Sequence, residues 1–220
     1  MFMKYKTVIF DLDGTLLNTL DDIRDSLNVA LSKFGFKERS LEEVRKAVGY
    51  ASKELLARTL EGGYENPQLQ TVLDYYLEYY EKHSNIKTKP YEGIIELLEE
   101  LREQGIRVAI VSNKPQEAVS ILNREIFGDL VELSIGESAE LPRKPNPAML
   151  LKAVEELGCA KEECVYVGDT EVDVQTARNA EMDIIVVLWG FRTKDELLKT
   201  GAKTFAADTE ELGRIIRQGS

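Results

Sequence analysis

Residues 7–19, Thr7-Val8-Ile9-Phe10-Asp11-Leu12-Asp13-Gly14-Thr15-Leu16-Leu17-Asn18-Thr19, constrain this chain more than any other stretch. A short apolar run with β-branched residues reads as a buried strand, and it breaks at once into two carboxylates, a glycine and hydroxyl residues. Side chains two apart on extended backbone point the same way. Asp11 and Asp13 therefore address one small volume, where Gly14 lets the chain turn. Two carboxylates about 4 Å apart repel by roughly 1 to 4 kcal/mol at a surface-like dielectric, so a cation or a shared proton must offset the repulsion. A hard divalent ion with oxygen ligands, Mg²⁺ first, meets that need. The competing reading is a strand followed by an acidic turn, because Asp and Gly are ordinary turn residues.

The remainder of the chain decides between them. After Thr19, the residues Leu20, Ile23, Leu27, Ala30, Leu31 and Phe34 share one helical face, with Gly35 as the stop. Ser40 and Glu43 form a capping-box pattern before a second helix, a third follows Ser52, and Asn66-Pro67 opens a long fourth with Leu69, Val72, Leu73, Tyr76, Leu77 and Tyr80 on one face. From Pro90 onward the texture changes. Helical stripes alternate with strand-like runs at Ile106 to Val111, Leu130 to Ile135, Cys164 to Val167, Asp183 to Leu188 and, weakly, Thr204 to Ala206. Asp208 and Glu211 suggest the cap of a last helix. Alternation of this kind implies a parallel sheet with helices on both faces, to which the first strand also belongs. The expected architecture is a three-layer, Rossmann-like α/β core over residues 1–15 and 85–220, with an all-helical cap inserted at 16–84. Ligands of open α/β sheets bind beyond the carboxyl ends of the strands, which puts the insertion over the site as a lid.

Charge narrows the partners. A formal charge of -11 on 220 residues repels nucleic acid and anionic membranes, and any phosphate site needs its own local positive charge. The longest apolar run, Ile184 to Trp189, is far below the roughly 20 residues a membrane span requires. Met1 to Phe10 lacks the apolar region of a signal peptide, and Cys159 and Cys164 read as reduced structural thiols, so the expected compartment is the cytoplasm. His83, the one histidine, reads as structural. Nothing in the sequence sets an oligomeric state.

Four segments place polar groups where strands end: Asp11 and Asp13; Ser112-Asn113-Lys114 after Val111; Arg143-Lys144-Pro145-Asn146-Pro147 before a helix; and Gly168-Asp169-Thr170-Glu171-Val172-Asp173 after Val167. In this order, and with a helical insert after the first, DLDGTLLNT, VSNK, RKPNP and GDTEVDV resemble the four motifs of the haloacid dehalogenase superfamily. The resemblance covers essentially the whole chain. The cap after the first motif, the segment NTLDDIRDSLNVAL and the later LWGFR resemble its phosphoglycolate phosphatase group.

Position by position, the resemblance implies that Asp11 is a nucleophile forming an aspartyl-phosphate, and that Asp13 is the acid and then the base, also meeting Mg²⁺ through its carbonyl. It implies that Ser112 and the Asn113 amide hold phosphoryl oxygens, that Lys144 neutralises nucleophile and phosphate, and that Asp169 and Asp173 complete or back the metal site. Gly14, Thr15, Arg143 and Trp189 join the expected substrate contacts. Phosphoryl transfer is mostly positioning and charge stabilisation, and such a residue set supplies both.

The implied activity is a Mg²⁺-dependent phosphatase acting on a small phosphate ester resembling 2-phosphoglycolate. Pyrophosphate and nucleotides are the alternative substrates. Asp13 argues against a true dehalogenase, and Ile23 stands where mutases resembling β-phosphoglucomutase carry His. A non-catalytic regulator of the same fold is a further alternative, weakened by the full motif set. Asn18 stands where the family usually has Asp, which removes none of the chemistry. Arg45, Lys53 and Arg58 are the basic candidates in the cap for a substrate carboxylate.

Overall fold

The computed structural model describes residues 4–218, so the outermost ends of the expected core segments, 1–3 and 219–220, lie outside the described residues. The chain opens with β1 (Thr7–Phe10) and a two-residue β2 (Leu17–Asn18). It then forms four helices, α1 (Leu20–Lys33), α2 (Leu41–Ala47), α3 (Ser52–Thr59) and α4 (Leu69–His83), and returns through β3 (Lys89–Pro90). There follow α5 (Ile94–Glu103), β4 (Arg107–Pro115), α6 (Gln116–Leu122), β5 (Leu133–Glu137), α7 (Ala148–Leu157), β6 (Cys164–Gly168) and α8 (Glu171–Ala180). The chain closes with β7 (Asp183–Val187), α9 (Lys194–Leu198), β8 (Phe205–Ala206) and α10 (Thr209–Gln218).

Six strands make one parallel sheet in the order β5-β4-β1-β6-β7-β8. The strand that carries Asp11 is thus central, with Phe10 opposite Ile110 on one side and Val167 on the other. Its side chains alternate between the two faces. Val8 and Phe10 pack with Leu97, Leu98 and Leu101 of α5 and Ile216 of α10, whereas Ile9 packs with Met149, Leu150 and Ala153 of α7 and Ala177 of α8. Each such fully buried apolar side chain contributes about 1.5–3 kcal/mol, and with both faces covered the strand stays apolar from Val8 to Phe10 and turns polar at Asp11.

The four helices α1–α4 bury a separate apolar cluster built from Leu27, Leu31, Val44, Leu56, Val72 and Tyr76, among others. The chain enters and leaves this bundle through a two-stranded antiparallel ribbon, Leu17 opposite Pro90 and Asn18 opposite Lys89. Asp22 secures the exit, its carboxylate accepting the backbone N–H groups of Ile86, Lys87 and Thr88 at 2.8–3.0 Å. None of the described helices is long and apolar enough to cross a membrane.

Four boundaries differ from the sequence reading. Ser112, Asn113 and Lys114 do not follow their strand; β4 runs on through them to Pro115, with a register shift after Val111 that breaks their pairing with β5. The strand expected from Leu130 begins at Leu133, because a π-turn over Asn123–Phe127 and a 3-10 turn over Gly128–Leu130 prolong the helical path after α6. Helix α4 starts at Leu69 rather than at Asn66-Pro67, since the Asn66 side chain folds back to accept the Gln68 N–H at 2.8 Å. The last weak strand shrinks to Phe205–Ala206.

Candidate active site

Asp11 follows the last residue of β1 and is almost wholly buried. Its Oδ1 lies 2.9 Å from Lys144 Nζ, yet this oxygen has no well-directed hydrogen bond among the described residues. Burial pushes the Asp11 carboxyl up to about 7, outweighing the Lys144 ammonium that opposes it, with Asp173 adding to the rise. Gly14 then turns the chain with φ +88°. A Cβ there would stand 2.4 Å from Asp169 Oδ2, so the turn can pass the carboxylate only as glycine.

Lys144 comes from the loop before α7, 31 positions beyond Asn113, and it is Asn113 that fixes it. The Asn113 carboxamide accepts the Lys144 N–H at 2.8 Å and donates to the Lys144 carbonyl at 3.1 Å. Its side chain therefore positions the lysine. The Lys144 ammonium, buried, sits 2.8 Å from Asp173 Oδ1 and donates to the Tyr166 hydroxyl at 2.8 Å. Burial alone would lower its basicity, but Asp11 and Asp173 outweigh that and keep it charged.

The end of β6 and the start of α8 supply the other acids. Asp169 accepts Thr15 Oγ1–H at 3.0 Å and Phe191 N–H at 2.7 Å, and burial raises its carboxyl well above the usual range. Asp173 accepts from Tyr166, from the Asp169 and Thr170 N–H groups and from Thr170 Oγ1 at 2.7–3.2 Å. Burial would raise its carboxyl too, but the Lys144 ammonium prevails and holds it below the ordinary value.

Asp11, Asp169 and Asp173 each offer an oxygen within 4.8 Å of the others. Three buried carboxylates against one ammonium leave negative charge uncompensated, and Asp11 Oδ1, though ion-paired with Lys144, has no directed hydrogen bond. Gly190 presses on the same group, since a Cβ there would stand 2.3 Å from Asp169 Cβ. An all-oxygen cradle of this kind fits a hard divalent cation such as Mg²⁺. The Asp13 side chain is not part of this triad. It turns instead to Lys114, whose buried Nζ lies 2.8 Å from Asp13 Oδ1.

A cleft of about 490 Å³, counted to its open mouth, separates the core from the helical bundle. Its floor is Asp11, Asp13, Ser112, Asn113, Lys114 and Lys144, and its roof is Ile23, Val48, Gly49, Tyr50, Ser52, Leu55, Tyr76 and Tyr80. Ser112 accepts the Lys114 N–H at 3.2 Å and faces this space. Gly14 and Thr15 back the Asp169 carboxylate from behind.

Two expected substrate contacts are elsewhere. Arg143 points outward, half exposed, with Nη1 3.3 Å from Glu137 Oε1. Trp189 packs on Tyr91 along a different groove and donates its indole N–H to the Thr15 carbonyl at 3.0 Å. Neither borders the cleft. Of the basic cap candidates, Arg45 and Arg58 pair with Glu42 and Glu54, Lys53 is exposed, and none lines the cleft.

Sequence reading gave no role of their own to Lys114 and Arg192, named only within their motifs, to Tyr80, named only on a helix face, or to Tyr166. Lys114 stands directly after Asn113, but its neighbours Asn113, Pro115, Gln116 and Glu117 give no local sign that it is buried. Arg192 is nearly buried and ties the layers together: it pairs with Glu171 at 2.7 Å and donates to the carbonyls of Arg45 and Val48 at 2.9 and 2.8 Å.

A family model described as haloacid dehalogenase-like hydrolase matches residues 8–187. The phosphoglycolate phosphatase of Aquifex aeolicus is 32% identical over 190 residues, covering 84% of this chain and 86% of that protein. The phosphoglycolate phosphatase of Xylella fastidiosa strain 9a5c is 33% identical over 206 residues, covering 93% and 87%. Among solved structures, one from Lactobacillus delbrueckii subsp. bulgaricus superposes with a TM-score of 0.92 at 36% identity, covering 98% of this chain and all of that one.

Proposed function

The chain belongs to the haloacid dehalogenase-like hydrolase family, among its phosphoglycolate phosphatase-like phosphoric monoester hydrolases, and from that premise we propose a mechanism in which Asp11 attacks phosphorus. The observation that carries the reading is the convergence of Asp11, Asp169 and Asp173 within 4.8 Å, with Lys144 2.8–2.9 Å from two of them, at the floor of a covered cleft.

An Asp11 carboxylate oxygen forms a bond to phosphorus while the ester P–O bond breaks, and the leaving oxygen takes a proton from Asp13. Asp13 then accepts a proton from water as the water oxygen attacks the phosphorus of the aspartyl-phosphate, releasing phosphate and restoring Asp11. Asp11 can approach an anion only because Lys144 cancels part of the repulsion. Ser112 and the adjacent backbone orient the phosphoryl oxygens. Asp11 and Asp169, whose oxygens carry at most one protein hydrogen bond each, are the side chains that would hold Mg²⁺, and Asp173, with five protein donors, holds Lys144 and the 168–170 turn in place. When bound, Mg²⁺ supplies positive charge where negative charge gathers on the phosphoryl group.

The helices over residues 16–84 act as a cap, and Ile23, apolar at the cleft, offers no group to carry a phosphoryl transfer onward as a mutase would. We assign the substrate to small phosphate monoesters, with 2-phosphoglycolate first because the relatives bear that name, and the compartment to the cytoplasm, where thiols such as Cys159 and Cys164 stay unbonded. Hydrolysis of 2-phosphoglycolate with Mg²⁺ by wild type and by Asp11→Asn tests the reading. The variant is expected to lose at least about a thousandfold in kcat while remaining folded. Equal rates would refute it.

A further inference from the structure

Two cations face the cleft, Lys144 and Lys114, and they stand at opposite ends of the chemistry. Lys144 belongs to Asp11 and Asp173 and hence to the phosphoryl group. Lys114 belongs to Asp13, the residue that must meet the leaving oxygen. The roof contributes aliphatic, aromatic and hydroxyl groups but no Lys, Arg or His among its described residues. A substrate whose alcohol carries a second negative charge therefore finds one ammonium on the leaving-group side, in a protein whose overall charge repels it.

The donors around Lys114 are not exhausted by the protein. Its ammonium has three N–H groups, of which one meets Asp13 and one the hydroxyl of Tyr80. The Tyr80 hydroxyl, having accepted from Lys114, keeps its own proton, for which no acceptor is found among the described residues. Tyr76 lies one turn earlier on α4, its ring parallel to that of Tyr80 with centroids 5.4 Å apart, and its hydroxyl has no described partner either. Both phenols are buried and line the cleft. One N–H of Lys114 and the O–H of Tyr80 thus stand beside Asp13 with nothing to donate to, and the O–H of Tyr76 is a third such donor in the same cleft. Donors so placed suit a small planar anion, and a hydrogen bond from a charged group to such an anion is the stronger kind.

We propose that Lys114, with the hydroxyls of Tyr80 and Tyr76, forms the subsite that recognises a carboxylate on the alcohol portion of the substrate, so that the enzyme selects phosphate esters of short hydroxy acids over neutral alcohols of the same length. The inference rests on the phosphatase reading above and adds to it the residues that set specificity. It removes the need for a cationic side chain from the bundle, and with it the roles considered for Arg45, Lys53 and Arg58. Because Lys114 also touches Asp13, its loss slows every substrate to some degree. The signature of the subsite is the change in preference, not in rate.

The test compares 2-phosphoglycolate with ethyl phosphate, which has the same two carbons and no carboxylate. Wild type with Mg²⁺ is expected to favour 2-phosphoglycolate in kcat/KM by about tenfold or more. Lys114→Gln should cut that ratio at least about tenfold, Lys114→Arg should restore part of it, and Tyr80→Phe and Tyr76→Phe should each cut it about threefold. Glycolate should inhibit ethyl phosphate hydrolysis by wild type more strongly than by Lys114→Gln. If Lys114→Gln does not fold, the two Tyr→Phe variants and the glycolate inhibition carry the test. A wild type that favours ethyl phosphate, or variants that slow both esters equally, would overturn the subsite and leave the phosphatase standing. Failure of wild type on both esters would overturn the two readings together.

Discussion

Asp173 commits both carboxylate oxygens to protein donors, five contacts in all counting the lysine, whereas Asp11 leaves an oxygen with no directed hydrogen bond. That difference separates a residue that builds the site from residues that use it. Asp173→Asn leaves the buried Lys144 with one carboxylate partner instead of two, and is expected to lower stability by about 3 kcal/mol in urea unfolding as well as activity. Asp169 has the opposite environment, since burial and its acidic neighbours disfavour its charge. Asp169→Asn is therefore expected to leave the metal-free protein no less stable than wild type and to abolish the rise in Tm expected of wild type when Mg²⁺ is added. A Mg²⁺-dependent shift that survives in Asp169→Asn would remove this residue from the metal site. At this scale the sequence was informative about the acids only as a set, because one acidic turn after a strand is ordinary whereas its recurrence at several strand ends is not. It was uninformative about Lys114 and Tyr80, whose pairing joins positions 34 apart on different layers, and about Trp189, whose indole N–H satisfies the Thr15 carbonyl, 174 positions away in the chain.

The elements around the site are held by a latch between loop and bundle. Arg192 reaches from the loop after β7 to Glu171 at the start of α8 and to two carbonyls at the end of α2, while Tyr50 donates to Glu171 at 3.0 Å. Gly49, at φ +102°, lets the bundle approach the core, since a Cβ there would stand 3.0 Å from Thr170 Cγ2. Burial would raise the Glu171 carboxyl, but the Arg192 guanidinium outweighs it and holds the group below the usual carboxylate range. A depressed folded value means that the ion pair stabilises fully above the unfolded value of about 4.3 and is lost as pH falls through the folded one. In Tm measured from about pH 6 down to pH 3, wild type should lose more stability than Glu171→Gln. A parallel decline would show that the latch contributes nothing. The periodic helices and the alternating strands were legible from apolar spacing alone, as was the Ser40–Glu43 capping box. Strand ends were not: β4 continues through Ser112 to Lys114 because neighbouring layers bury these polar residues, a tertiary effect that no local pattern encodes.

The molecule as a whole joins the apolar core on the two faces of the sheet to the separate cluster of the bundle through a narrow ribbon, the Arg192 contacts and a cleft, and its net negative charge leaves the cleft as a place where an anion meets fixed positive charge. The bundle's own packing can be probed apart from the chemistry: Leu56→Ala, fully buried among the four helices, is expected to cost about 2–5 kcal/mol in unfolding free energy. The parallel sheet and its helical insertion were readable from the order of elements, whereas the tilt of the bundle over the cleft depends on long-range contacts such as Arg192 with Val48. The central claim concerns a bond, and it can be observed as one. Wild type mixed with 2-phosphoglycolate and Mg²⁺, quenched in acid within a turnover and digested for mass spectrometry, is expected to carry one phosphoryl group on Asp11, labile to hydroxylamine and absent from Asp11→Asn. Full hydrolysis with no phosphoryl group on Asp11, or with the group on another residue, would contradict the account.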